Sequence, residues 1–184
     1  MQKKVRMIVV AGVMGAISIF LGATRIGFIP YFTGASLTIM HVPVIIGAVL
    51  EGPVVGAVIG LIFGGFSLIQ AAIAPQGPAD AWFVNPVVSI LPRLLIGPVA
   101  WLVYRAVRGF KELPAIVASG VAGSLTNTVL VLCVLGFYRY LPWQAIVTIA
   151  AANGLPEAVL AGALTYAVVG TWKRIETRRR GSSI

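Results

Sequence analysis

The chain has 184 residues, 59% of them apolar and only 10% charged, with a mean hydropathy of +0.98. Soluble domains run near 45–50% apolar and about 25% charged, so the composition excludes a soluble fold, and spans of about 20 residues leave no room for a soluble catalytic domain. The formal charge of +9 is gathered beside apolar runs, which points to topology signals and anionic lipid headgroups rather than to nucleic acid.

Apolar runs and breakers predict a single all-α membrane domain, residues 1–184, made of six transmembrane helices. The first covers about residues 7–24, behind Lys3, Lys4 and Arg6. No clear small-x-small cleavage site follows it, so it reads as a retained span. It carries two offset small-xxx-small pairs, Ala11 with Gly15 and Gly12 with Ala16, a flat surface that suits internal packing or a partner equally. A polar stretch, RIGFIPYFTGA (25–35), holds Tyr31, Phe32 and Thr33, which either cover a cavity or pack on the outer face. The second span, about 36–50, carries His41 and Pro43 and is too short to cross unaided, so a broken or tucked-in helix is expected. His41 reads first as a packing residue, with ligand contact as the alternative.

The third span, about 54–73, continues a ladder of Gly52, Gly56, Gly60 and Gly64. Four-residue spacing puts the ladder on one helix face, for which close internal packing is the first reading. After the loop APQGPADAWF (74–83), the fourth span (84–104) begins beside Asn85 and contains Arg93. The basic linker RAVRGFKEL (105–113) leads to the fifth span (114–137), with Asn127. YRYLPW (138–143) leads to the sixth (144–172), with Asn153, Pro156 and Glu157. Pro156 removes a helix donor, which predicts a kink and a freed carbonyl.

Eleven of the fourteen Lys and Arg lie in the N-terminus, the 105–113 linker and the tail; only Arg25 and Arg139 lie on the other side. The positive-inside rule then places both termini in the cytoplasm. In that orientation Arg93, Asn127 and Asn153 all lie about 14 Å below the outer surface. Polar groups at this depth need partners or water, and one layer of them on three spans points to an outward-open cavity. Glu157 lies one turn deeper. It either seals Arg93 in an ion pair or joins it in contacting a ligand.

Several chemistries are excluded. One cysteine, Cys133, allows neither an internal disulfide nor a cysteine-based metal cluster. One histidine rules out a His-Glu-x-x-His zinc site, and there is no phosphate-binding loop or nucleophile elbow. No metal, cofactor or catalytic group is expected. A stand-alone facilitator remains an alternative, as does a membrane enzyme acting on a lipid-soluble substrate, although the latter lacks an activated nucleophile or acidic pair.

Four stretches carry a family likeness: AGVMGA (11–16), MHVPVIIGAVLEGPVVGAVIGLIFGGFS (40–67), NPVVSILPRLLIGPVAWLVYRAVR (85–108), and the pair GSLTNT (123–128) with NGLPEAVLAG (153–162). Together they resemble the substrate-binding (S) component of energy-coupling factor (ECF) transporters, nearest the pantothenate-type branch, which also has cobalamin-specific members. The resemblance implies a non-catalytic, multi-pass protein of the prokaryotic cell membrane. Such a protein binds a vitamin from outside and docks through the first span onto a transmembrane coupling subunit that holds two ATPases. Pantothenate is the favoured ligand, with cobalamin, folate or riboflavin as alternatives. The implied ligand contacts are Arg93, Asn127, Asn153, Glu157, His41, Tyr31 and Asn85. The implied docking surface is Ala11 with Gly15 or Gly12 with Ala16, a glycine-bearing variant of the family's alanine pair.

Overall fold

A computed structural model describes residues 2–30, 36–75, 77 and 79–181. Tyr31, Phe32 and Thr33, expected near the ligand, lie outside the described residues. Helix α1 (Gln2–Ala23) is followed by a two-stranded antiparallel hairpin, β1 (Phe28–Pro30) and β2 (Ser36–Thr38), with Phe28 opposite Thr38. Then come α2 (Val42–Glu51), α3 (Pro53–Ile73), two four-residue helices α4 (Asp80–Phe83) and α5 (Pro86–Ser89), α6 (Leu91–Val107) and α7 (Glu112–Phe137). The last crossing is α8 (Trp143–Ile149), a π-helical turn (Ala150–Gly154) and α9 (Leu155–Gly181).

Among the described residues, five stretches are long and apolar enough to cross a membrane: α1, α3, α5 with α6, α7, and the run Trp143–Arg174. The second span, expected to be short and broken or tucked in, is α2, whose ten residues reach only about 15 Å. The reason is local. Residues 36–38 pair with β1 instead of joining the helix, and Pro43 in the first turn of α2 sets its start. Residues Val42 to Val49 are all buried, as expected of a helix that is apolar on every side. It is enclosed by α1, α3, α6, α7 and α9. Gly52, at φ +104°, breaks the chain between α2 and α3 in a conformation that disfavours any side chain.

The glycine ladder is internal packing. A Cβ on Gly97 of α6 would lie 2.5 Å from the Gly56 carbonyl carbon, and one on Gly64 would lie 2.7 Å from the Ser89 carbonyl. A Cβ on Gly60 would strike the Arg93 carbonyl. Three bare positions therefore bring α3 against the α5–α6 backbone and fix the height of Arg93.

The irregularity expected near Pro156 is also present. Pro156 cannot donate to the carbonyl four residues back, and the helix widens into the π turn just before it.

Helix α1 lies at the side of the bundle, with only Gly15, Ser18 and Gly22 buried. The two small-residue registers separate here. Gly15 faces inward against Ile62, while Gly12 meets open space and Ala16 is exposed. Around that outer face Ile8 is 72% exposed and Val9 and Val13 about half exposed.

Candidate functional site

The site is a cavity of about 300 Å³ enclosed by the end of α1, the hairpin, α3, α4, α6 and α7. Its charged and polar wall consists of Arg25, Thr38, Ser67, Gln70, Asp80, Arg93 and Asn127; its apolar wall includes Phe28, Met40, Phe63 and Phe83.

Arg93 is only 6% exposed. Its guanidinium lies over two phenyl rings, 5.1 Å from the Phe83 centroid and 5.5 Å from that of Phe63. One end is anchored: Nη1 donates to the Val88 carbonyl at 2.6 Å. Nε is buried without a hydrogen-bond partner. The cation is thus oriented by stacking and a single backbone acceptor, and among the described residues no carboxylate pairs with it. Arg cannot shed its proton in a protein, so its charge asks for an anion, and two ring faces supply only part of that stabilisation. Asn127, 7% exposed, presents a buried Oδ1 that also has no partner. Arg93 and Asn127 thus each keep one buried polar atom unsatisfied beside the cavity they line.

Phe83, the last residue of α4, is held over Arg93 by contacts around that helix. Ser89 Oγ donates to the Phe83 carbonyl, and neighbouring Trp82 stacks on Tyr140, which stacks on Tyr138, with ring centroids 6.3 and 5.7 Å apart. This aromatic row ties α4 to the turn between α7 and α8.

Of the residues expected at the ligand, the structure brings Arg93 and Asn127 to this cavity. Asn85 caps α5, its Oδ1 accepting from Val87 N at 2.9 Å. His41 is wholly buried at the start of α2, with neither ring nitrogen hydrogen-bonded. Asn153 is buried in the π turn. The sealed Arg93–Glu157 pair does not form. Glu157 Oε1 instead accepts from the Thr38 backbone N–H at 2.7 Å, and Oε2 from Thr128 Oγ1 at 3.2 Å. Sequence reasoning missed Phe63, Ser67 and Gln70, although their i, i+4, i+7 spacing marks one helix face. It also assigned Arg25, Asp80 and Phe83 to loops, and Thr38 to the start of the second span, with no binding role.

The family profile described as "ECF transporter, substrate-specific component" matches residues 6–169. The chain belongs to this family. As an ECF substrate-specific component it is a transport subunit rather than an enzyme, and a multi-pass protein of the prokaryotic cytoplasmic membrane. It is similar to the pantothenic acid transporter PanT of Lactococcus lactis subsp. cremoris, with 34% identity over 151 residues, covering 72% of this chain and 75% of the relative. It is also similar to the pantothenate transporter PanT of Leuconostoc mesenteroides subsp. mesenteroides, at 34% identity over 122 residues, 61% of this chain and 59% of that protein.

Proposed function

We propose that this S component captures pantothenate, or a close carboxylate relative, in the cavity at Arg93. It then delivers the ligand by docking on an energy-coupling module composed of a transmembrane subunit and two ATPases. The observation that carries the reading is the stacked, carboxylate-free Arg93 facing the same cavity as the unpaired Asn127 Oδ1. Arg93 takes the ligand carboxylate, Asn127 accepts from a ligand N–H or O–H, and Ser67 and Gln70 serve the remaining hydroxyls. Arg25 and Asp80 also line the space. Two cations against one carboxylate leave one net positive charge, which suits a monoanion. A volume of about 300 Å³ is at the lower end of small-molecule sites and far too small for a corrinoid, which argues against cobalamin. The relatives named as pantothenate transporters support the same ligand.

The positive-inside distribution of Lys and Arg turns the cavity outward and puts both termini in the cytoplasm. Docking uses the outward Gly12–Ala16 register of α1, because Gly15 is already committed to Ile62.

The deciding experiment is thermal unfolding of the purified protein with pantothenate, its neutral alcohol analogue, riboflavin, folate and cobalamin. Pantothenate at 100 times its dissociation constant stabilises the fold by about 2.7 kcal/mol, and the alcohol by much less. Equal stabilisation by both would reject Arg93 as the carboxylate anchor. Stabilisation by another vitamin alone would reject pantothenate. Uptake by cells lacking any coupling module would reject docking in favour of a stand-alone facilitator.

A further inference from the structure

Glu157 is an acidic residue that the sequence placed at the ligand; in the structure it is not among the residues lining the cavity and bonds instead to Thr38 and Thr128. It is 6% exposed, and both oxygens accept hydrogen bonds from two different elements. Thr38 N–H belongs to β2, and Thr128 Oγ1 belongs to α7, next to Asn127. Thr38 lines the cavity, as does Phe28, its cross-strand partner. The strands are only three residues long, and a two-stranded hairpin has little stability of its own. Its position therefore depends on what it is tied to. Beyond β2 the chain is held by Ile39 N–H donating to Gly27 O at 2.9 Å, but that contact stays within the hairpin's own neighbourhood. The Glu157–Thr38 bond instead spans 119 residues of sequence and ties β2 to the last crossing.

We propose that Glu157 is a positioning residue for ligand retention. It holds β2, and with it Thr38 and Phe28, in the cavity wall without touching the ligand. The inference rests on the binding reading above for its consequence, but not for its structural half. The π turn contributes by setting the phase of α9, so that Glu157, one residue past Pro156, reaches both the hairpin and α7. Loss of the acceptor frees the hairpin in the empty protein and speeds ligand release, while ligand association changes little.

The test combines amide hydrogen exchange with pantothenate dissociation kinetics on the full chain, for Glu157→Leu, Glu157→Gln and Thr128→Val. Gln keeps a side-chain oxygen for Thr38 N–H, and its amide can donate to the Thr128 hydroxyl. Glu157→Leu is expected to raise exchange of the Thr38 and Ile39 amides without ligand and to speed dissociation about tenfold or more. Glu157→Gln should restore both to within about threefold of the parent. Thr128→Val should shift both the same way by less, and it carries the test if Glu157→Leu does not fold. Unchanged exchange in Glu157→Leu, or in Thr128→Val where that is the folded variant, overturns the proposal. So does a Glu157→Gln protein that releases ligand as fast as Glu157→Leu while its hairpin stays protected, because the charge itself would then be contacting ligand. If the parent fails to bind pantothenate, the binding reading falls, and the exchange experiment still decides whether Glu157 holds β2.

Discussion

Where α7 begins and α9 closes, Lys173 Nζ donates to Glu112 and to the Tyr104 hydroxyl, and Arg6 pairs with Glu51 at the turn between α2 and α3. At the cavity end, the buried Arg93 has two phenyl rings and one carbonyl but no carboxylate. The pairs join helix ends and are partly open to solvent: Lys173 is 27% and Glu112 55% exposed. Such pairs contribute about 0–1 kcal/mol and carry no information about a ligand. A buried cation without a counter-ion is destabilising in the empty protein, and it is retained where something anionic arrives to complete it.

The largest expected effect breaks or upholds this contrast directly. Arg93→Ala should weaken pantothenate binding by at least about 30-fold, since losing one partner of a buried charged contact costs about 2–5 kcal/mol. The empty variant should melt no lower than the parent, because the change removes an unpaired buried charge. Arg93→Lys should recover only part of the affinity, lacking the planar group that lies over Phe63 and Phe83. Lys173→Ala should do the reverse, lowering the melting temperature slightly and leaving affinity unchanged. Calorimetric titration and thermal unfolding on the same samples check all three. An Arg93→Ala protein that binds normally but melts early would make Arg93 a structural residue like Lys173.

Next in size is the backbone that carries Arg93. Gly60→Ala sets a Cβ against the Arg93 carbonyl, which is backbone and cannot turn away. Overpacking of this kind costs about 1–3 kcal/mol, and the forced separation of α3 from α6 should weaken binding as well. Gly65, on the same helix, has open space where a Cβ would go. Gly65→Ala should be neutral or slightly stabilising through helix propensity. Equal melting temperatures for the two variants would show that the helices do not depend on the close approach. Asn127→Leu, which keeps the volume but removes the unpaired acceptor, should reduce affinity about tenfold, in line with one lost hydrogen bond, and change stability little.

The same contrast explains what was legible in the sequence. Arg93, Asn127 and the proline-linked irregularity before Glu157 stood out because polar residues and proline inside apolar spans are costly, and such costs have reasons. The Gly56–Gly60–Gly64 ladder was legible through its period of four. Asn153 and Glu157 carried the same polar signal, but neither is among the residues lining the cavity; Asn153 sits in the π turn and Glu157 bonds to Thr38 and Thr128. Arg25 and Asp80 were illegible because polar residues in loops need no explanation, and Thr38 carried no signal at the start of the short second span, so their convergence on one cavity left no mark. The short α2 was half legible: its length was suspect, but the pairing of residues 36–38 with β1 is a tertiary choice that local propensity does not reveal.

The smallest expected effect separates two arginines that look alike in backbone. Arg25, at φ +61°, and Arg139, at φ +57°, both adopt a left-handed conformation just beyond a long helix. For a residue with a Cβ that conformation costs about 1–2 kcal/mol relative to the right-handed region. Glycine relieves the strain but loses more chain entropy on folding, so each Arg→Gly change should raise stability by no more than about 1 kcal/mol. Only Arg25 lines the cavity. Arg139→Gly should therefore gain stability with affinity unchanged. Arg25→Gly should gain similar stability and lose several-fold in pantothenate affinity, with the neutral alcohol unaffected. Because Arg25 is exposed, its contribution should shrink as salt is raised, while that of buried Arg93 should persist. If both glycine variants leave pantothenate affinity unchanged at low salt, Arg25 is no more than a helix end, and the cavity's selectivity for an anion rests on Arg93 alone.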